Sequence, residues 1–182
     1  MLETAIITLF VILLIFTYVL KIVIVDGESM QNTLFQDDAI VVSLLYSEPE
    51  AGDIVIINAD DAVMLNSDNT LRYEVGLGKK IVKRVIATGG QTVDIDFEKG
   101  AVYVDGVMLE ESYVTGLTHL DEGAFTDQYP VTVPEGYVFV MGDNRAYSKD
   151  SRSLEIGFIA VDSIVGRVFF RLSPISEFGF VD

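Results

Sequence analysis

Between Thr4 and Val25 the chain carries a single charge, Lys21, in a run of aliphatic and aromatic residues; from Asp26 onward apolar positions come in short bursts broken by polar turns. The first pattern predicts a helix that crosses a bilayer. At about 1.5 Å per residue it reaches about 33 Å, with Lys21 snorkelling to an interface. A secretory signal removed on export fits less well, because there is no basic leading region and no small-x-small site behind the apolar run. Residues 1–25 are expected to form an uncleaved transmembrane anchor and residues 26–182 one domain. The flanking charges, Glu3 and Lys21, are too few for the positive-inside rule to set an orientation.

The second pattern is that of strands. Runs rich in β-branched and aromatic residues occupy 38–45, 52–59, 80–87, 92–97, 101–109, 137–143 and 163–172, separated by Gly, Asp, Asn and Pro, as strands and turns require. Asp105-Gly106 is the strongest hairpin signal. Two stretches, 60–78 and 111–129, do not read as strands and are expected to be mobile surface loops. The fold class is therefore mainly β: one N-terminal transmembrane helix, then a single all-β domain with two long loops.

Charge and composition remove several kinds of chemistry. Glu3 and Lys21 cancel, so the formal net charge of −16 falls entirely on residues 26–182. Such a domain repels nucleic acid, and no nucleic-acid partner is expected. There is no cysteine, hence no disulfide, thiolate nucleophile or cysteine metal site. The one histidine, His119, lies in the polar 111–129 stretch and reads as a solvated loop residue; in a Ser-His-Asp triad that loop would have to be rigid. The carboxylates lack calcium-loop spacing, so no metal site stands out, and no pair is singled out for a carboxylate-dyad hydrolase, a reading that stays open.

A serine and a lysine remain. Ser29 follows the apolar run directly. Lysine serves as a base only when neutral, which its ordinary pKa of about 10.4 forbids near pH 7 unless the protein buries it. In KKIVKRVIA, Lys83 alternates with Ile81 and Val85, and Arg84 with Val82 and Ile86. Parity leaves open which face is the core, but of the two cations only lysine can give up its proton. Lys83 is the candidate base, although spacing alone favours an ordinary strand lysine. Lys79 and Lys80, in a Gly-flanked polar run, read as solvent-exposed.

Taken together, GESMQNTLF, GDIVIIN, KRVIATGG and GDNRAYSKDSR resemble, in order and spacing, the sequence boxes of bacterial type I signal peptidase. These are membrane-bound serine endopeptidases that remove signal peptides from exported proteins. The resemblance implies Ser29 as nucleophile, Lys83 as general base and Ser148 as the serine that hydrogen-bonds and orients the lysine. It also implies Asp143, Asn144, Arg145, Asp150 and Arg152 as a buttress, with Asp150 and Arg152 paired, and Met30 lining the substrate cleft. The Ser29 backbone N–H would be one oxyanion donor, and the resemblance implies that no metal and no cofactor is required. One branch of the family has a hydroxyl two positions before the nucleophile, where this chain has Gly27. Asn32 replaces a usual proline, and Gly89-Gly90-Gln91 replaces a usual Pro-Gly-Asp. Expected partners are the bilayer and preprotein signal peptides with small residues one and three positions before the cut, together with secretion or pilus assembly machinery. The implied location is the cell membrane, single-pass, with the N-terminus cytoplasmic and the catalytic domain outside. Two rivals stand beside this reading: a noncatalytic accessory factor in pilus or secretion assembly, and a self-cleaving Ser-Lys protease.

Overall fold

The computed structural model describes residues 1–181. The apolar run divides where β-branched residues replace leucine-rich sequence. α1 covers Leu2–Tyr18, and Leu20–Ile24 forms β1, hydrogen-bonded in antiparallel register to β2, Ala39–Ser43. The expected continuous helix to Val25 is thus corrected: Ile22-Val23-Ile24 packs better on a pleated surface than in a helix. Among the described residues no helix is long and apolar enough to cross a membrane. No residue of α1 is buried.

The strands that follow are β3 (Ile54–Leu65), β4 (Leu71–Thr88), β5 (Thr92–Asp96), β6 (Ala101–Val104), β7 (Val107–Met108), β8 (Val131–Thr132), β9 (Tyr137–Met141), β10 (Ile159–Ala160), β11 (Ile164–Ser173) and β12 (Gly179–Phe180). The large sheet has the order β1-β2-β11-β3-β4-β9-β10, with β12 added to β11; the small one runs β7-β6-β5-β8. Asp105 and Gly106 both have positive φ, the conformation their turn demands, and β6 returns as β7.

Three apolar clusters hold this frame. Phe125, Phe139 and Phe158 pack with Val93, Ile95 and Val102 of the small sheet. Val55, Val85 and Val140 fill one region of the large sheet with Ile156 and Ile159. Met30 and Leu34 pack with Val25, Ile40, Val42, Ile54 and Ile56, holding the segment after β1 down on the sheet.

The first expected loop needs correction, and the second keeps its lack of strands but is anchored. Residues 60–78 continue β3 and β4 as a long hairpin, with Val63 opposite Tyr73 and Leu65 opposite Leu71. Its apolar residues come consecutively as Ala62, Val63 and Met64, all buried, so the alternation that reveals a half-buried strand is missing. The register shifts at Asp60, across from the Gly76-Leu77-Gly78 bulge. Residues 111–129 hold no regular strand, but Phe125 is fully buried in the aromatic core, which fixes the segment to the fold.

Candidate active site

Ser29 lies in the turn between β1 and β2. Reciprocal backbone bonds close that turn, from the Val25 N–H to the Asp38 carbonyl and from the Asp37 N–H to the Val25 carbonyl, both 2.9 Å. Arg171 of β11 ties down its far side, donating to the Asp38 carboxylate at 2.8 Å and the Thr33 carbonyl at 3.2 Å. Two bonds from Asn144 hold the nucleophile itself: its N–H donates to the Ser29 carbonyl at 3.0 Å and its side-chain amide to the Glu28 carbonyl at 3.1 Å. Among the described residues none accepts from the Ser29 N–H, which leaves a donor unpaired in a residue that lines the cleft.

β4 brings Lys83 to this loop across 54 residues of sequence. Its Nζ is 2.7 Å from Ser29 Oγ and donates to the Val82 carbonyl at 2.8 Å. Only 3% of the residue is exposed. Burial pulls the Lys83 pKa down to about 8; Lys79 and Arg152 push the same way, against the attraction of Asp150 and Asp143. Arg84, on the opposite face, is equally buried, so β4 has no wet face here. Its guanidinium grips Asp143 through two bonds of 2.9 and 2.8 Å and stacks 4.0 Å above the Tyr113 ring. Thr33 Oγ1 donates to the same carboxylate.

Ser148 is buried, and among the described residues its Oγ makes no hydrogen bond of good geometry, although it lies near enough to help hold the Asp150 carboxyl down. The bond to Lys83 implied by the resemblance is absent, and the ammonium bonds Ser29 and Val82 instead. Ser148 is nonetheless packed into the site through Gly142, where a Cβ would lie 2.2 Å from Ser148 Oγ and 2.4 Å from the Ser29 carbonyl oxygen. No side chain fits there, which is the close approach that glycine permits. The Gly142 N–H donates to Asp150 at 3.0 Å. Asp150 and Arg152 pair as expected, through two bonds of 2.8 and 2.9 Å. Burial opposes ionisation of Asp150, yet the Arg152 charge and these hydrogen bonds hold its carboxyl below the usual range.

Met30 does not line the cleft. It is 1% exposed in the cluster with Leu34 and Ile40, because the tight turn directs it inward while Ser29 points out. Gly27 has φ of 113°, so a residue carrying a hydroxyl side chain would be strained there although the space is open. Its N–H already donates to Gln36 Oε1 at 2.6 Å. His119 is exposed, with Nδ1 2.8 Å from the Phe97 carbonyl.

The sequence reading missed a strap formed by 111–118. Glu111 and Thr118 both bind the buried Arg145 guanidinium. Thr115 receives the Asp143 carbonyl at its N–H, 3.0 Å, and donates its hydroxyl to the Gln31 carbonyl at 3.2 Å. Tyr113 covers Arg84. No local signal marks these residues, since each acts on a partner far away in sequence. Glu111→Gln should destabilise the fold by about 1–3 kcal/mol, because Arg145 loses its compensating charge while keeping its hydrogen-bond partner; urea unfolding measures the loss.

A cleft of about 400 Å³ opens over Ser29 and Lys83, walled by Val23–Glu28 on one side and Leu77–Val82 on the other. A buried amine within hydrogen-bond distance of a hydroxyl and an unpaired N–H beside it, at the floor of an open cleft, together meet the needs of acyl transfer. The sequence profile of the family described as "Signal peptidase, peptidase S26" matches residues 1–173. The chain belongs to this signal peptidase family. It is 37% identical to a probable signal peptidase I-1 of Synechocystis, over 85% of this chain and 72% of that one. It is 32% identical to signal peptidase I S of Bacillus subtilis, over 91% and 83%. A crystal structure of a signal peptidase I from Enterococcus faecalis V583 overlaps 66% of this chain and 96% of its own, at a TM-score of 0.47 and 27% identity; the assignment rests on the sequence matches. Like its relatives of the bacterial type I class, this member is a signal peptidase hydrolase.

Proposed function

We propose that the chain cleaves signal peptides from exported preproteins with a Ser29–Lys83 dyad. The observation that carries this reading is the 2.7 Å contact between Lys83 Nζ and Ser29 Oγ, made by a lysine that is 3% exposed. In the neutral amine the same contact runs in reverse, with the Ser29 O–H donating to the lone pair of Nζ. The Val82 carbonyl, 2.8 Å away, holds one amine hydrogen and so turns that lone pair toward the hydroxyl. Lys83 takes the proton as Oγ bonds to the scissile carbonyl carbon. The oxyanion develops toward the free Ser29 N–H, a donor of a kind typically worth about 3–4 kcal/mol. The ammonium then protonates the departing amine as the C–N bond breaks. Water, deprotonated by Lys83, attacks the ester and returns Ser29. Ser148 is assigned a positioning role in this scheme, packed against Gly142 beside the nucleophile.

We also propose membrane attachment through the N-terminal segment, with the catalytic domain outside the cell membrane. Support comes from α1 being apolar round its circumference beyond Glu3 and having no buried residue, the pattern of a helix whose partner is lipid. Placing the dyad a few residues from lipid would raise the effective concentration of a substrate emerging there.

Incubation with a preprotein bearing a small-x-small site tests the reading, with the new N-terminus sequenced. The pH profile of kcat/KM should rise with an apparent pKa near 8, since only the neutral amine is a base. A rise near 10.4 would show a solvated Lys83.

A further inference from the structure

Of the twelve lysines and arginines, three carry no ion pair among the described residues, apart from Lys83 of the dyad. Arg72, Arg84, Lys99, Arg145, Lys149, Arg152, Arg167 and Arg171 each face a carboxylate. The remaining three are Lys21, Lys79 and Lys80. Lys79 and Lys80 are exposed and both line the cleft over Ser29. In a domain of net charge −16, unpaired carboxylates outnumber unpaired cations, so two free ammonium groups together on a wall of the catalytic cleft stand against the prevailing field.

Their placement is set by β4. This strand pairs with β3 from Leu71 to Arg84, with one bulge, but with β9 only from Arg84 to Thr88. Its second edge is therefore open beside Leu77–Lys83, and an extended peptide lying in the cleft would run along that edge. Lys79 shares strand parity with Lys83 and lies about 13 Å before it at about 3.3 Å per residue. That distance corresponds to the fourth residue of an extended substrate counted from the scissile bond. The opposite wall carries Asp26 and Glu28, and the mouth carries the Lys149–Glu155 pair. An acidic side chain is thus attracted on the β4 wall and repelled on the other.

We infer that Lys79 and Lys80 are specificity-determining residues that select signal-peptidase substrates bearing an acidic side chain four residues from the cleavage point. The inference rests on the proposed dyad and deepens it by adding a charge preference to the small-residue rule. An exposed pair of opposite charges is worth at most about 1 kcal/mol, or about fivefold in kcat/KM.

The test uses the full chain and peptides with one small-x-small site, differing only in Glu or Lys at the fourth position before or after the cut. The ratio of kcat/KM for the Glu and Lys peptides is read at pH 9, so that altered titration of Lys83 cancels. At one of these positions the wild type should prefer Glu about fivefold at low salt, and 1 M NaCl should bring the ratio toward one. Lys79→Glu with Lys80→Glu should invert the preference; the ratio is independent of how much enzyme folds. Equal cleavage of both peptides by the wild type at every position, or a ratio unmoved by the double substitution, overturns the inference. A wild-type chain that cleaves no peptide overturns the dyad reading and this inference with it.

Discussion

Ser29→Ala and Lys83→Ala are each expected to reduce preprotein cleavage by at least about a thousandfold, and the pair together by little more than either alone. Groups that act as one unit in covalent catalysis lose nearly everything with the first removal. Ser29 Oγ and Lys83 Nζ are such a unit, since each is the other's partner at 2.7 Å. The two variants differ in stability. Lys83 falls from 10.5 to about 8 on folding, so below pH 8 the folded protein must hold a buried proton that the unfolded chain binds more readily. At about 1.4 kcal/mol per pH unit this costs about 3 kcal/mol. The cost is fully present below pH 8 and is relieved as pH rises toward 10.5, where the unfolded lysine also loses its proton. Lys83→Met should therefore be inactive yet more stable than wild type at pH 7, with the difference vanishing above about pH 10.5. Denaturant unfolding at pH 7 and 10.5 measures it, and equal stability at pH 7 would contradict the depressed pKa. A Ser29→Ala protein that still supported its role in cells would favour an accessory factor over a protease.

The largest stability loss is expected from Asp150→Ala, about 3–5 kcal/mol. Asp150 and Arg152 are both fully buried, and removing one partner of such a pair leaves an uncompensated charge inside the protein. Arg152 would keep only the Arg145, Ser148 and Leu120 carbonyls, and the Gly142 N–H would lose its acceptor. Replacing both, as Asp150→Leu with Arg152→Met, should cost less than the single change, because no charge is stranded. The carboxyl is held below its usual range, so its stabilisation is present above the unfolded value near 4. That contribution is lost as pH falls through the lower folded value. Asp150 also attracts the Lys83 proton. In protein that does fold, Asp150→Ala should move the rising limb of the pH profile below 8, a shift that destabilisation alone would not produce.

Much of the site was legible from residue types. Ser29 and Lys83 were candidates by residue type, with no cysteine and one loop histidine left, but spacing alone favoured an ordinary strand lysine and their roles came from the resemblance. The pairing of Asp150 with Arg152 followed from their place in the resembling box. Other assignments failed for identifiable reasons. Met30 was placed in the cleft, but adjacent residues of a tight turn point apart, and the outward position went to Ser29. Ser148 was expected to bond Lys83, a matter of side-chain direction that no spacing encodes. The 60–78 hairpin was taken for a loop because Ala62, Val63 and Met64 are buried in succession and show no period of two.

By itself, the sequence determined the strand-rich character of residues 26–182, the turn at Asp105-Gly106, the absence of thiol chemistry and the resemblance to signal peptidases. Each of these depends on local periodicity or on residue identity. Tertiary structure alone decided that α1 ends at Tyr18 and gives way to β1, because Leu20–Ile24 finds a hydrogen-bonding partner in β2. It alone decided that both faces of β4 are buried at Lys83 and Arg84, so that the lysine loses its hydration and its pKa falls. Burial of a charge depends on what folds over it: Ser29 meets Lys83, while Asp143 and Tyr113 cover Arg84 on the other face, all distant from β4 in sequence.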